Sequence, residues 1–166
     1  MSLALIPTSS MTQTKSTVLT VTDLTLASYG LVGFAAVLAK AGRGEVFLVS
    51  THRGRAESKP VTDERPSAPP PTAALRHEGQ LLEQQRKWCA DHGVRCRAEL
   101  LEDAAWPELV IRSARRVRAD LILLAAQFRG ASGRIIPQEM QSLAQDAPCP
   151  VSLVRLPGLW AYKNHA

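Results

Sequence analysis

Residues 119–126 read ADLILLAA, and the fold turns on them. From Leu121 to Ala126 no polar side chain interrupts the run, so a strand built from it has no face to offer water. Such strands lie in the middle of parallel sheets covered by helices on both faces. Outward toward the N-terminus, PELVIRSARRVRAD (107–120) reads as a helix with Pro107 in its first turn, burying Leu109, Val110, Ala114 and Val117. Outward toward the C-terminus, AAQFRGASGRIIPQE (125–139) is a glycine-containing loop. It leads into a helix from Pro137 with Met140, Leu143 and Ala144 inward, then APCP and a last strand, VSLVR (151–155).

The N-terminal half has the same rhythm. STVLTVTD (16–23) is β-branched and apolar, a strand. In TLASYGLVGFAAVLAKAGRG (25–44), Leu31, Phe34, Ala35 and Leu38 fall on one helical stripe that stops at Gly42 or Gly44. EVFLVST (45–51) is a second buried strand, and the short link before it makes a βαβ unit with parallel pairing. HRGRAESKPVTDERPSAPPPT (52–72) holds five prolines and little to bury, the composition of a disordered loop. After it, AALRHEGQLLEQQRKWCADHG (73–93) pairs Ala74/Leu75, Leu81/Leu82 and Trp88/Cys89 at seven-residue spacing, a helix ending near Gly93. VRCRAELL (94–101) alternates as a third strand. The sum is an α/β fold, an open five-stranded parallel sheet with helices on both faces.

At 166 residues and 45% hydrophobic content the chain builds one ordinary domain. The division expected is an N-terminal extension over 1–16, a folded domain over 17–156 with residues 53–72 as the proline-rich loop inside it, and a tail over 157–166. A net charge of +5 is a weak pull toward anions, far from a dedicated nucleic-acid protein. Three cysteines, Cys89, Cys96 and Cys149, are odd in number and lack C-x-x-C spacing, which supports neither a disulfide framework nor a zinc ribbon and fits a reducing cytoplasm. No apolar run approaches the roughly 20 residues of a membrane span. SLALIP (2–7) is too short and too poor in basic residues for a secretory leader.

These stretches together resemble the universal stress proteins. The resemblance rests on TVLTVTDLTLAS, the long excursion after the second strand, ADLILLA, and above all AQDAPCPVSLVR (144–155), and it covers about residues 17–156. It implies the strand order 3-2-1-4-5 and a homodimer with the last strands side by side, here through Val151, Leu153 and the C-terminal tail with Trp160 and Tyr162. In the ATP-binding branch of that family a G-x2-G-x9-G-[S/T] pattern follows the fourth strand and wraps the phosphates.

A glycine-rich turn into a helix N-terminus is a natural anion site, and Arg129, Gly130, Ser132, Gly133 and Arg134 supply parts of one. The family pattern, however, does not register. Counted forward from the fourth strand its glycines fall on Ala125, Phe128 and Gln138, with Glu139 at the hydroxyl position. Counted back from APCP they fall on Leu124, Gln127 and Pro137. A carboxylate where a hydroxyl should meet phosphate opposes the function. By the resemblance Asp23 contacts the adenosine part, and it stands at the carboxyl end of a central strand, where ligands of such sheets bind. Alternatively, Asp23 is a turn aspartate serving the amides of Thr25 and Leu26. Thr51 is either an adenine neighbour or a strand end.

The remaining features are plainer. Arg112, Arg115, Arg116 and Arg118 read as a solvated helix face, with Glu108 one turn from Arg112, and no aromatics interleave to stack bases. The four histidines stand apart from metal-ligand spacing, no nucleophile motif is visible, and Cys149 reads as a small buried hydrophobe. The expectation is a cytoplasmic, non-catalytic stress-response or regulatory protein, without metal or cofactor, acting by binding through a degenerate ATP loop. The alternative is an ATP or AMP sensor with at most slow hydrolysis. It would use Asp23, Thr51, Ala125, Arg129, Gly130, Ser132, Gly133 and Gln138. Nucleic-acid binding is a distant third, and no membrane is expected as partner.

Overall fold

The protein is described by a computed structural model over residues 15–52, 73–102, 106–126 and 137–155. Nine elements follow in order: β1 Thr17–Val21, α1 Leu26–Ala41, β2 Glu45–His52, α2 Ala73–Asp91, β3 Arg95–Glu102, α3 Trp106–Val117, β4 Leu121–Ala125, α4 Pro137–Asp146 and β5 Val151–Val154. The five strands pair in parallel in the order β3-β2-β1-β4-β5. Helix α1 packs with α2 and helix α3 with α4, one pair on each face of the sheet. The expected topology is present. The proline-rich loop, the tail and all but Lys15 and Ser16 of the N-terminal extension lie outside the described residues.

The apolar run that decided the fold becomes β4, with Ile122, Leu123 and Leu124 entirely buried. Its neighbour β1 is buried at every position. The two are locked in register at their start, where the Thr17 amide donates to the Asp120 carboxylate at 2.7 Å and the Asp120 amide donates to the Thr17 carbonyl at 2.9 Å. That exchange sets Val18 opposite Leu121.

Three helices end with the same pair of backbone bonds, one six-residue and one inner, and each needs a residue in the left-handed region. After α2 that residue is Gly93, φ 73°, with the Val94 amide on the Cys89 carbonyl and the Gly93 amide on Ala90. After α1 it is Arg43, φ 51°, and after α3 it is Arg118, φ 53°. The glycines flanking Arg43 serve another purpose. A Cβ on Gly44 would stand 1.7 Å from the Ser16 carbonyl oxygen, because the Glu45 amide must reach that oxygen at 2.9 Å to start β2 beside β1.

Two expected core residues face water instead. Phe34 is 43% exposed, and Ala144 is exposed. Helix α1 carries a single charge, Lys40, so apolar periodicity could not tell its inner side from its outer. The inner side holds Leu31, Val32, Ala35 and Ala39. In α3, Trp106, Ile111 and Ser113 are buried along with the expected Val110 and Ala114, while Leu109 and Val117 are only half-buried, as is Cys149 in the turn before β5.

Opposite effects are expected from two glycine exchanges, read by urea unfolding. Arg118→Gly relieves a left-handed arginine and stabilises by about 0.5–1 kcal/mol. Gly44→Ala drives a methyl into backbone and destabilises by about 3 kcal/mol or more.

Candidate functional site

Strand β1 has its last β4 partner at Val21, opposite Leu124, and its last β2 partner at Val49. Beyond that point the chain leaves β1 for α1, while β4 leads on toward α4, whose partner helix α3 lies on the opposite face from α1. The crevice where neighbouring strands diverge in this way is where sheets of this topology hold ligands. Strand β2 runs on past β1, with Ser50, Thr51 and His52 paired only to β3. Thr51 is therefore not the strand terminus; it stands half-buried on a ledge above the end of β1.

The floor of the crevice on the α1 side is a buried polar chain. Thr22 donates through its hydroxyl to Gln85 Oε1 at 2.9 Å, Gln85 Nε2 donates to Ser28 Oγ at 2.8 Å, and Ser28 Oγ donates to the Thr25 carbonyl at 2.6 Å. Thr22, Ser28 and Gln85 are all buried. Each donor in the chain has an acceptor, which offsets the cost of burying an amide. Above it Leu24 is held left-handed at φ 61°, its amide on Thr22 Oγ1 at 3.1 Å. Asp23 is exposed, and its Oδ1 accepts from the Thr25 amide at 3.1 Å and the Thr25 hydroxyl at 2.6 Å. The turn role foreseen for Asp23 is thus present toward Thr25, and its other oxygen points to no described partner.

On the opposite side of the crevice the first turn of α4 carries Gln138, exposed, and Glu139. Glu139 Oε2 accepts from the indole Nε1 of Trp106, the first residue of α3, at 2.7 Å. Trp106 is almost fully buried. A carboxylate in the first helical turn is favoured by the helix dipole, and here it also takes the N–H of a neighbouring helix. Ala125 is buried at the end of β4, paired with Val154. Arg129, Gly130, Ser132 and Gly133 lie outside the described residues; of the other candidates Asp23 follows β1, Thr51 and Ala125 stand at the carboxyl ends of β2 and β4, and Gln138 is in the first turn of α4.

Sequence reasoning missed Gln85 and Trp106. Gln85 left a signal, a polar side chain between Leu82 and Cys89 on the stripe that α2 buries. Trp106 left only its place before Pro107. The α3 arginines serve the fold: Arg116 pairs with Glu99 and lies over the Phe47 ring, and Arg115 donates to the Asp146 carbonyl. Glu108 and Arg112 line one cleft, and among the described residues no ion pair joins them. Among the described residues no group of His, Cys, Asp and Glu is placed to hold a metal, and no helix is long and apolar enough to cross a membrane.

A sequence model described as the universal stress protein family matches residues 15–155. No curated protein sequence matches this chain. Several solved structures share the fold. One is a universal stress protein from Archaeoglobus fulgidus, at TM-score 0.62 and 15% identity, covering 84% of this chain and 93% of that one. A structure of the universal stress protein from the same organism in complex with dAMP aligns at 0.60 and 16%, covering 86% and 98%. A universal stress protein in complex with cAMP aligns at 0.59 and 16%, covering 85% and 97%.

Replacing Gln85 with Leu keeps the volume but strips the Thr22 hydroxyl of its acceptor and Ser28 of its donor. A loss of about 2 kcal/mol in urea unfolding is expected, against under 0.5 kcal/mol for Gln84→Leu on the exposed side of the same helix.

Proposed function

The chain belongs to the universal stress protein family, and we propose that within it this protein is a regulatory stress-response protein that acts by binding, with the phosphate end of its crevice closed to ATP. One observation carries this reading, the hydrogen bond from Trp106 to Glu139. The positive end of α4 and a buried N–H donor beside it are the groups a phosphate would need, and a carboxylate of the chain itself holds them. Two unit charges 4 Å apart at a partly exposed site repel by about 4 kcal/mol. A helix end returns at most about 2 kcal/mol to an anion. For a triphosphate, carrying several charges, the repulsion wins. Glu139 also stands where one register of the family pattern has its hydroxyl, so the reading agrees with the loss of the motif glycines.

A monophosphate is the second reading, and the other side of the crevice favours it. Asp23 is exposed at the end of β1 and the ledge at Thr51 is open toward β1, the positions the family resemblance assigns to the adenosine part. Structural neighbours have been captured with cAMP and dAMP. A nucleotide lodged by its adenosine end, with a single phosphate turned away from Glu139, meets little of the repulsion described above.

The assembly proposed is a homodimer through β5. Among the described residues this strand is at the sheet edge, pairs only with β4, and leaves Leu153 55% exposed. A bare edge with an apolar residue invites a second copy.

Thermal unfolding with nucleotides separates the readings. A ligand at 100 times its Kd stabilises by about 2.7 kcal/mol. Millimolar ATP is expected to leave the wild-type midpoint unchanged, with AMP raising it more than ATP does, and Glu139→Ser is expected to confer a response to ATP. A wild-type response to ATP equal to that for AMP would refute the closed phosphate end. For the assembly, Leu153→Asp is expected to convert a dimer to a monomer by light scattering with the fold intact; a wild type already monomeric at micromolar concentration would contradict it.

A further inference from the structure

Helix α1 has 16 residues and a single charge, Lys40, and a helix so poor in charge belongs under cover on every side. Its inner side packs on β1, β2 and β4, and one flank lies against α2, where a Cβ on Gly33 would come 3.5 Å from the Trp88 ring. Lys40 stands two turns from Gly33 on that same flank. The outer side has no such cover among the described residues. Gly30, Phe34, Val37 and Ala41 fall on it at the spacing i, i+4, i+7 and i+11, and all four are exposed, Val37 by 66%. Leu38 borders this uncharged stripe, half-buried.

The start of β1 shows which part of the chain lies nearest. Ser16 sits against the end of α1: a Cβ on Gly42 would meet Ser16 Oγ at 2.2 Å, and the Ser16 carbonyl accepts the Glu45 amide at 2.9 Å. The residues before Ser16 therefore set out from the foot of the stripe, beside Ala41. Residues 1–14 lie outside the described residues, and their sequence carries no charged side chain while placing Leu3, Ala4, Leu5 and Ile6 in an unbroken apolar run. That is not the composition of a segment that remains in water. Pro7 favours an extended backbone at Ile6.

From this juxtaposition we propose that residues 3–11 form an extended apolar strap along the outer side of α1, with Met11 near Ala41 and Leu5 and Ile6 near Phe34. The reach is sufficient. Extended chain covers about 3.3 Å per residue, so residues 3–14 span about 40 Å. Passing around the end of the helix takes about 10 Å and its full length about 24 Å. The C-terminal tail is worse placed, because Arg155 leaves β5 at the opposite end of the sheet and two strands from β1. The far end of the strap comes up beside the first turn of α1, which carries Ser28 of the crevice floor.

The test reads thiol reactivity site by site in the full chain. Val37→Cys and, as a reference, Gln84→Cys on the exposed side of α2 are treated with a maleimide, and trypsin isolates them in peptides 16–40 and 77–86, neither of which holds a native cysteine. Position 37 is expected to react about tenfold or more slowly than position 84 in the native chain, and at the same rate in urea. Leu5→Asp combined with Ile6→Asp is expected to abolish the difference, and Trp160→Asp to leave it in place. In a chain carrying Thr8→Cys and Val37→Cys, a bis-maleimide is expected to join peptide 1–15 to peptide 16–40 within one molecule. Equal native rates at the two positions, or protection that survives Leu5→Asp with Ile6→Asp, would overturn the proposal. So would protection that fades on dilution or with Trp160→Asp, which assigns the stripe to a second copy or to the tail, and so would cross-links formed only between chains. The comparison of native rates needs no change within residues 1–14.

Discussion

A strand buried on both faces and paired along both edges has no water for its polar atoms, and β1 is that strand here, with Thr20 wholly buried and its hydroxyl without a hydrogen-bond partner among the described residues. Its start is closed by the exchange between Thr17 and Asp120. Its other end has to satisfy Thr22 inside the protein, and Gln85 reaches from α2 to do so. The same amide ties down Ser28 and with it the first turn of α1. Entry into α1 and the shape of the crevice floor therefore follow from the partner that the Thr22 hydroxyl finds in Gln85.

The two walls of the crevice are chemically unlike. Toward β2 the groups are the exposed carboxylate of Asp23 and the half-buried Thr51. Toward α4 the helix end that an anion would seek is held by Glu139, and Glu139 is held by Trp106. A hydroxyl at that position would leave the helix end available to a ligand. A carboxylate neutralises it from within, stabilising α4 and removing the need for a bound anion to complete the fold. On the proposed reading, the balance between a few kcal/mol of repulsion and the smaller return from a helix end would make the crevice selective by charge.

Much of this was legible in the residues. ADLILLAA announces a doubly covered strand, APCPV the turn into the last one, and Gly93 the end of α2. Other features left no mark. Left-handed Arg43 and Arg118 occupy positions where glycine is the usual sign, and nothing in their neighbours distinguishes them. Phe34 lay on an apolar stripe of a helix apolar all round, so its outward side could not be told from its inward one. Glu139 was visible as a misfit for phosphate, but its partner was not, since Trp106 is 33 residues away and meets it only through the packing of α3 on α4. Asp23 admitted two roles in the sequence, and the geometry gives it the turn to Thr25 without taking both its oxygens.

The claim that α4 spends its positive end on its own carboxylate is tested most directly by a crystal structure grown with saturating ATP. The account predicts Glu139 Oε2 still on the Trp106 indole nitrogen and no phosphoryl density at the amides of Gln138, Glu139 and Met140. Density for the β- and γ-phosphates on those amides, with the Glu139 side chain swung away from Trp106, would contradict it.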